Sequence, residues 1–206
     1  METLKKITFL AGFILLFGGI MAQNQATLQA AFIKSFEAEK QSNYTTSINE
    51  LKTIYRTDSY FVNIRLGWLY YLNKEYSESI KYYNIAIQLK PYAIEARFGC
   101  VKPLSAIQSW DKVKEQYLQI LKIDPQNTVA AYWLGVIYYN RKDYPSALKL
   151  FEKIVNLYPL DYDSCIMLGW TKLNLARPAD AKILFNHCLI LRPNDKSALA
   201  GLNQIK

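Results

Sequence analysis

Residues 128–161 read TVAAYWLGVIYYNRKDYPSALKLFEKIVNLYPLD. In this stretch Gly135, Tyr144, Ala147 and Phe151 stand 24, 15, 12 and 8 residues before Pro159. Stepping outward, Pro91, Pro125, Pro159 and Pro193 follow one another at intervals of 34 residues. The other positions recur with them. At 24 before each proline come Gly67, Val101, Gly135 and Gly169, each preceded by Leu66, Cys100, Leu134 or Leu168. At 15 before come Tyr76, Trp110, Tyr144 and Pro178, and at 12 before come Ser79, Val113, Ala147 and Ala181. An aromatic always stands 8 before: Tyr83, Tyr117, Phe151 and Phe185. A fixed period of this size marks an array in which each unit buries its apolar face on the next.

These residues resemble the tetratricopeptide repeat family, whose 34-residue pattern runs leucine-glycine, tyrosine, alanine, phenylalanine, proline. The resemblance covers about four fifths of the chain. It implies an all-α fold, a right-handed α-solenoid of paired antiparallel helices. Four clear units are expected at 60–93, 94–127, 128–161 and 162–195, after an atypical unit at 28–59. Residues 196–206 open a capping helix that uses Ala198, Leu199 and Leu202 to cover the last unit. The small residue at Gly67, Gly135 or Gly169 is expected to let the paired helices approach, opposite Ser79, Ala147 or Ala181. The following aromatic fills the gap between units. The proline drives its predecessor out of the helical region and suits the start of the next helix.

Three places depart from the pattern. In the atypical unit Ser35, Tyr44, Ser47, Leu51 and Ile54 fit the offsets if Ser59 stands for the proline, which leaves the junction to Pro91 two residues short. Pro103 falls inside a first helix, where it removes a hydrogen bond, so a bend or early break near Lys102 is expected. Pro178 lies at the start of a second helix, where proline is tolerated.

The N-terminus reads differently. Lys5 and Lys6 precede an apolar run from Ile7 to Ile20, and Met21-Ala22-Gln23 supplies a small residue for cleavage. That is the pattern of a secretory signal peptide over 1–22, cut after Ala22, with 23–27 as a polar leader. An uncleaved membrane anchor is the rival. Export to a periplasm or cell envelope follows from either reading. The formal charge of +8 becomes +7 without the signal peptide's Lys5, Lys6 and Glu2. Lys and Arg are spread without a dense run, so the charge points to anionic surfaces in general and not to nucleic acid.

In the family the concave face is lined by first-helix residues that turn away from their partner helix. At 27, 23 and 20 before each proline these are Ile64, Trp68 and Tyr71, then Phe98, Lys102 and Ser105. Tyr132, Val136 and Tyr139 follow, then Ile166, Trp170 and Leu173, while the atypical unit supplies Phe32, Phe36 and Glu39. The set is apolar and aromatic. A clamp for a terminal carboxylate is not expected, because only Lys102 with neighbouring Arg65, Asn140 and Asn174 could form one. The expected partner is another protein, bound as an extended segment or amphipathic helix on aromatic anchors, Trp68 and Trp170 first. Burial of these side chains against the adjacent unit is the competing reading, and a homodimer through the same face is a third. A structural subunit of an envelope assembly, or a binder of an anionic envelope polymer, are the alternative functions.

Catalysis is not expected. His187 is the single histidine, and no phosphate-binding glycine loop or zinc spacing is present. Asp161, Asp163 and Asp180 read as caps and solvated charge. No cofactor or metal is expected. Cys165 and Cys188 lie on facing helices of one unit, where either a disulfide or two buried thiols would fit. Cys100 replaces a core leucine.

Overall fold

The computed structural model describes residues 25–205. The expected signal peptide over 1–22 lies outside the described residues, as do the first two residues of the leader. Residues 25–27 are already helical. The first helix, α1, is described over 25–40. It is followed by α2 (Tyr44–Lys52), α3 (Tyr60–Leu72), α4 (Tyr76–Leu89), α5 (Glu95–Ala106) and α6 (Trp110–Ile123). Then come α7 (Thr128–Asn140), α8 (Tyr144–Leu157), α9 (Tyr162–Asn174), α10 (Pro178–Leu191) and α11 (Lys196–Gln204). Among the described residues there is no strand, and no helix is long and apolar enough to cross a membrane.

The four second helices, α4, α6, α8 and α10, are each 14 residues long and begin 15 residues before a proline. Their buried residues repeat at i, i+4 and i+7: Ser79, Tyr83 and Ala86, then Val113, Tyr117 and Ile120. Ala147, Phe151 and Ile154 follow, then Ala181, Phe185 and Cys188. That spacing makes one apolar stripe on a helix. Each helix stops because the residue before the proline leaves the helical region, with ψ of 77–92° at Lys90, Asp124, Tyr158 and Arg192. Pro178 sits in the first turn of α10, as its place in the repeat predicts.

The turn inside each hairpin is set by hydrogen bonds and not by glycine. Lys74, Gln108, Lys142 and Ala176 all take φ of 56–63°. At Lys142, its N–H donates to Tyr139 O at 2.9 Å and Asp143 N–H donates to Tyr138 O at 2.9 Å. This paired closure of a helix end is the Schellman motif. Asp143 then caps α8 by accepting from Ser146 N. First helices start on Ser59, Asn127, Asp161 and Asp195, whose side chains each accept from a backbone N–H of the first turn.

The chain divides into two compact units, one ending at Pro103 and the other beginning at Leu104. In the first, Ile48 and Leu51 of α2 join Val62, Leu66, Leu69, Tyr70 and Tyr82 in one buried cluster. In the second, Ala147, Phe151 and Leu168 form one cluster, and Cys165, Ile166, Ala181, Phe185, Cys188 and Ala198 another. Ala198 and Leu202 of α11, with Ile205 just past its end, join the latter, whereas Leu199, expected to cover the last unit with them, is 42% exposed.

Two expectations need correction. Ser59 does not replace the proline; it is the N-cap of α3 and stands in register with Asn127 and Asp161. The two missing residues belong to α2, only 9 residues long. The lost turn is filled by side chains: Tyr55 meets the Tyr82 ring edge-on at 5.6 Å, and Tyr70 stacks on Tyr82 at 5.3 Å. Lys52 hydrogen-bonds Tyr82 Oη and lies 4.9 Å from that ring's centroid. Second, of the bend or early break expected near Lys102, the early break does not occur: α5 runs on through Pro103 to Ala106.

The close approach expected at the glycines is present. Ser79 Oγ donates to Gly67 O at 2.6 Å, and in the atypical unit Ser47 Oγ donates to Ser35 O at 2.7 Å. The glycines also clear space for rings. A Cβ on Gly67 would meet the Tyr83 ring at 3.0 Å, and one on Gly169 the Phe185 ring at 2.8 Å. On the other side of the same rings, Cβ atoms on Gly99 and Gly201 would come within 2.2 and 2.3 Å. Each ring therefore sits between a glycine of its own hairpin and one of the next helix.

Candidate partner-binding faces

In the first unit, α1, α3 and α5 carry the expected face. Phe32 and Phe36 lie with ring centroids 6.3 Å apart, and Phe36 is 47% exposed. The guanidinium of Arg65 sits 3.8 Å from the Phe36 centroid and pairs with Glu39. Glu39 in turn accepts from Trp68 Nε1 at 2.7 Å. Trp68 and Tyr71 follow, centroids 5.7 Å apart, both half-buried. Lys102 is exposed and places its Nζ 5.7 Å from the Trp68 ring and 6.0 Å from the Tyr71 ring. Ile64 packs beside the buried Tyr60, Ala86 and Ala96, and Phe98 is half-buried. Four of the expected residues, Phe36, Trp68, Tyr71 and Lys102, are thus joined through Arg65 and Glu39 into one continuous run, Phe36–Arg65–Trp68–Tyr71–Lys102.

Arg65 is the member that offset reasoning placed only at the margin. It is 8% exposed, and its Nε has no hydrogen-bond partner. The signal for it is a cation one residue from Ile64, between Phe36 and Trp68, whose planar head can stack on one ring while pairing with a carboxylate.

In the second unit the corresponding residues are tied into the fold. Tyr132 meets Phe151 edge-on at 6.0 Å, and Tyr139 meets Tyr144 at 5.4 Å. Asn174 Nδ2 donates to Tyr139 Oη at 3.2 Å and to Trp170 O at 2.8 Å. Trp170 packs edge-on to Phe185 at 5.2 Å, and its Nε1 donates to Ser197 Oγ of α11 at 2.9 Å. Val136 and Leu173 are half-buried, and Ile166 is buried. Burial pushes the phenols of Tyr132 and Tyr139 above their ordinary value, so both stay neutral at physiological pH. Of the two expected tryptophan anchors, Trp170 is a joint to the capping helix.

The carboxylates behave as caps and surface charge. Asp161 accepts from the N–H groups of Asp163 and Ser164, and Asp180 pairs with Arg177 at 2.6 Å. Among the described residues no group of His, Cys, Asp or Glu could hold a metal ion. Cys165 Sγ lies 3.7 Å from Leu184 O and 3.8 Å from His187 Nδ1. The neighbouring Cys188 thiol lowers the pKa of Cys165, and the Cys165 thiol together with burial drives that of Cys188 up. Cys100 is buried in α5.

The sequence matches the family described as tetratricopeptide repeat in three places, at 62–92, 129–161 and 162–195. No curated protein matches it. Solved structures match its fold. A tetratricopeptide repeat protein from Parabacteroides merdae superposes with a TM-score of 0.74 at 16% identity, covering 87% of this chain and 72% of that one. MamA 41-end from Desulfovibrio magneticus superposes with a TM-score of 0.68 at 15% identity, covering 82% and 97%. A further MamA crystal structure gives 0.69 at 14% identity, covering 80% and 91%. All three likenesses are of fold, an α-solenoid.

Proposed function

The chain belongs to the tetratricopeptide repeat family, and from that membership we propose that it is a protein-binding scaffold whose first unit seats a segment of another protein. The observation that carries this reading is the run Phe36–Arg65–Trp68–Tyr71–Lys102. It offers a half-exposed aromatic ring at one end and an exposed amine over two rings at the other. Aromatic side chains that are already held in place lose little freedom on binding and so carry affinity well. The segment it suits is extended or an amphipathic helix, with apolar side chains on Phe36 and Trp68 and an acidic side chain opposite Lys102. The partner meets it outside the cytoplasm, after export and cleavage behind Ala22; the mass of the mature N-terminus tests that part.

The test uses the full exported chain as bait against the envelope fraction. Phe36→Ala and Lys102→Glu are each expected to weaken capture of the main partner about tenfold or more. Ile190→Ala, at a residue 78% exposed on α10, is expected to leave it unchanged. Unchanged capture by both face variants, with helicity intact, would end the reading. Steep loss with salt and no protein partner would favour an anionic polymer instead.

A further inference from the structure

The last hairpin differs from the others in one pair of buried residues. Cys165 of α9 and Cys188 of α10 occupy places that Ala131 and Ile154 hold in the hairpin before. Both thiols are fully buried in the same cluster, one on each of the two paired helices. The Sγ of Cys165 lies 3.7 Å from Leu184 O and 3.8 Å from His187 Nδ1, both within about one turn of Cys188 on α10, so Cys165 points at the stretch of α10 that carries Cys188. We infer that Cys165 and Cys188 are a site of reversible disulfide formation that staples α9 to α10.

The chemistry needs a disulfide oxidant of low molecular weight or its protein equivalent, reached when the capping helix opens. Cys165 is the attacking group: its thiolate displaces one thiol from the oxidant and forms a mixed disulfide. His187 Nδ1 stands where it can take the Cys165 proton. The Cys188 thiolate then attacks the Cys165 sulfur, releasing the second thiol. Two electrons and two protons pass to the oxidant, which leaves as two thiols, and the protein keeps one S–S bond. The chief effect of the bond is to restrict the unfolded chain between the two positions.

The full chain is treated with oxidised glutathione, then alkylated under denaturing conditions. Oxidation is expected to leave one alkylatable cysteine, Cys100, where the reduced chain has three. Intact mass should fall by about 2 Da, and peptide mapping should join the segments around 165 and 188. The melting temperature should rise by about 10 °C and return on reduction. Cys165→Ala and Cys188→Ala each abolish both changes; alanine is the residue at the equivalent places 131 and 86, so the folds should hold. His187→Ala should slow bond formation without changing its position. Three alkylated cysteines after oxidation, a bond that includes Cys100, or glutathione adducts alone would overturn the inference.

Discussion

A Cβ on Gly201 would lie 2.3 Å from the Phe185 ring, and the ring has nowhere to go because it is fully buried. Gly201→Ala should therefore cost about 1–3 kcal/mol, read as a lower urea midpoint. The opposite change is expected at the hairpin turn. Ala176 holds φ of 56°, a conformation that disfavours a side chain. Ala176→Gly should stabilise by about 0.5–1 kcal/mol, the relief of strain exceeding glycine's added freedom in the unfolded chain. Asp195 gives a pH test. Its carboxylate accepts from Ala198 N at 2.8 Å, and that bond, with one from Tyr162, holds its pKa below the ordinary 3.8. The contribution is complete above about pH 4 and fades as pH falls through the lower, folded value. Asp195→Ala should lose about 1 kcal/mol at pH 7 and progressively less below pH 4, by thermal melts across that range.

At the scale of elements, the hairpins were legible because the proline, the small residue and the aromatic each have one physical task at one offset. α2 and α5 were read less well, and for different reasons. The truncation of α2 is compensated by Tyr55, Tyr70 and Tyr82, a tertiary cluster whose members are far apart in sequence. The helical turns at Lys74, Gln108, Lys142 and Ala176 carry no glycine, so nothing in composition marks them. In α5, packing outweighed the local cost of Pro103: Val101, Pro103 and Leu104 are all buried, and burial holds the helix to Ala106. The strain is still there, since Pro103 cannot donate to the carbonyl one turn back. Pro103→Ala should raise stability by about 1 kcal/mol, a gain limited by the lost ring contacts; a fall in the urea midpoint would show that the ring's packing dominates.

Taken whole, the chain has two compact units divided between Pro103 and Leu104. In repeat arrays stability is a sum of unit and neighbour terms, so opening need not be all-or-none. Native-state hydrogen exchange should resolve one opening free energy for core amides before 103 and another for those after 104; a single shared value would contradict this. The faces differ in the same way. That an aromatic face would exist was readable from the offsets. Which half of it stays available was not, because that depends on partners such as Ser197 and Asn174, which take up Trp170 and Tyr139.

The ring held between two glycines also limits modularity. Tyr83 and Phe185 each have glycine 16 residues on, at Gly99 and Gly201, whereas Tyr117 and Phe151 have Trp133 and Met167 there. The hairpins look alike but are not interchangeable parts. Moving 162–195 to stand directly before 128–161 would set Phe185 against Trp133. Duplicating it would work only if the helix bearing Gly201 travelled with it. Any lengthened or reordered version of this protein has to be cut after the receiving glycine, not at the proline where the period is easiest to see.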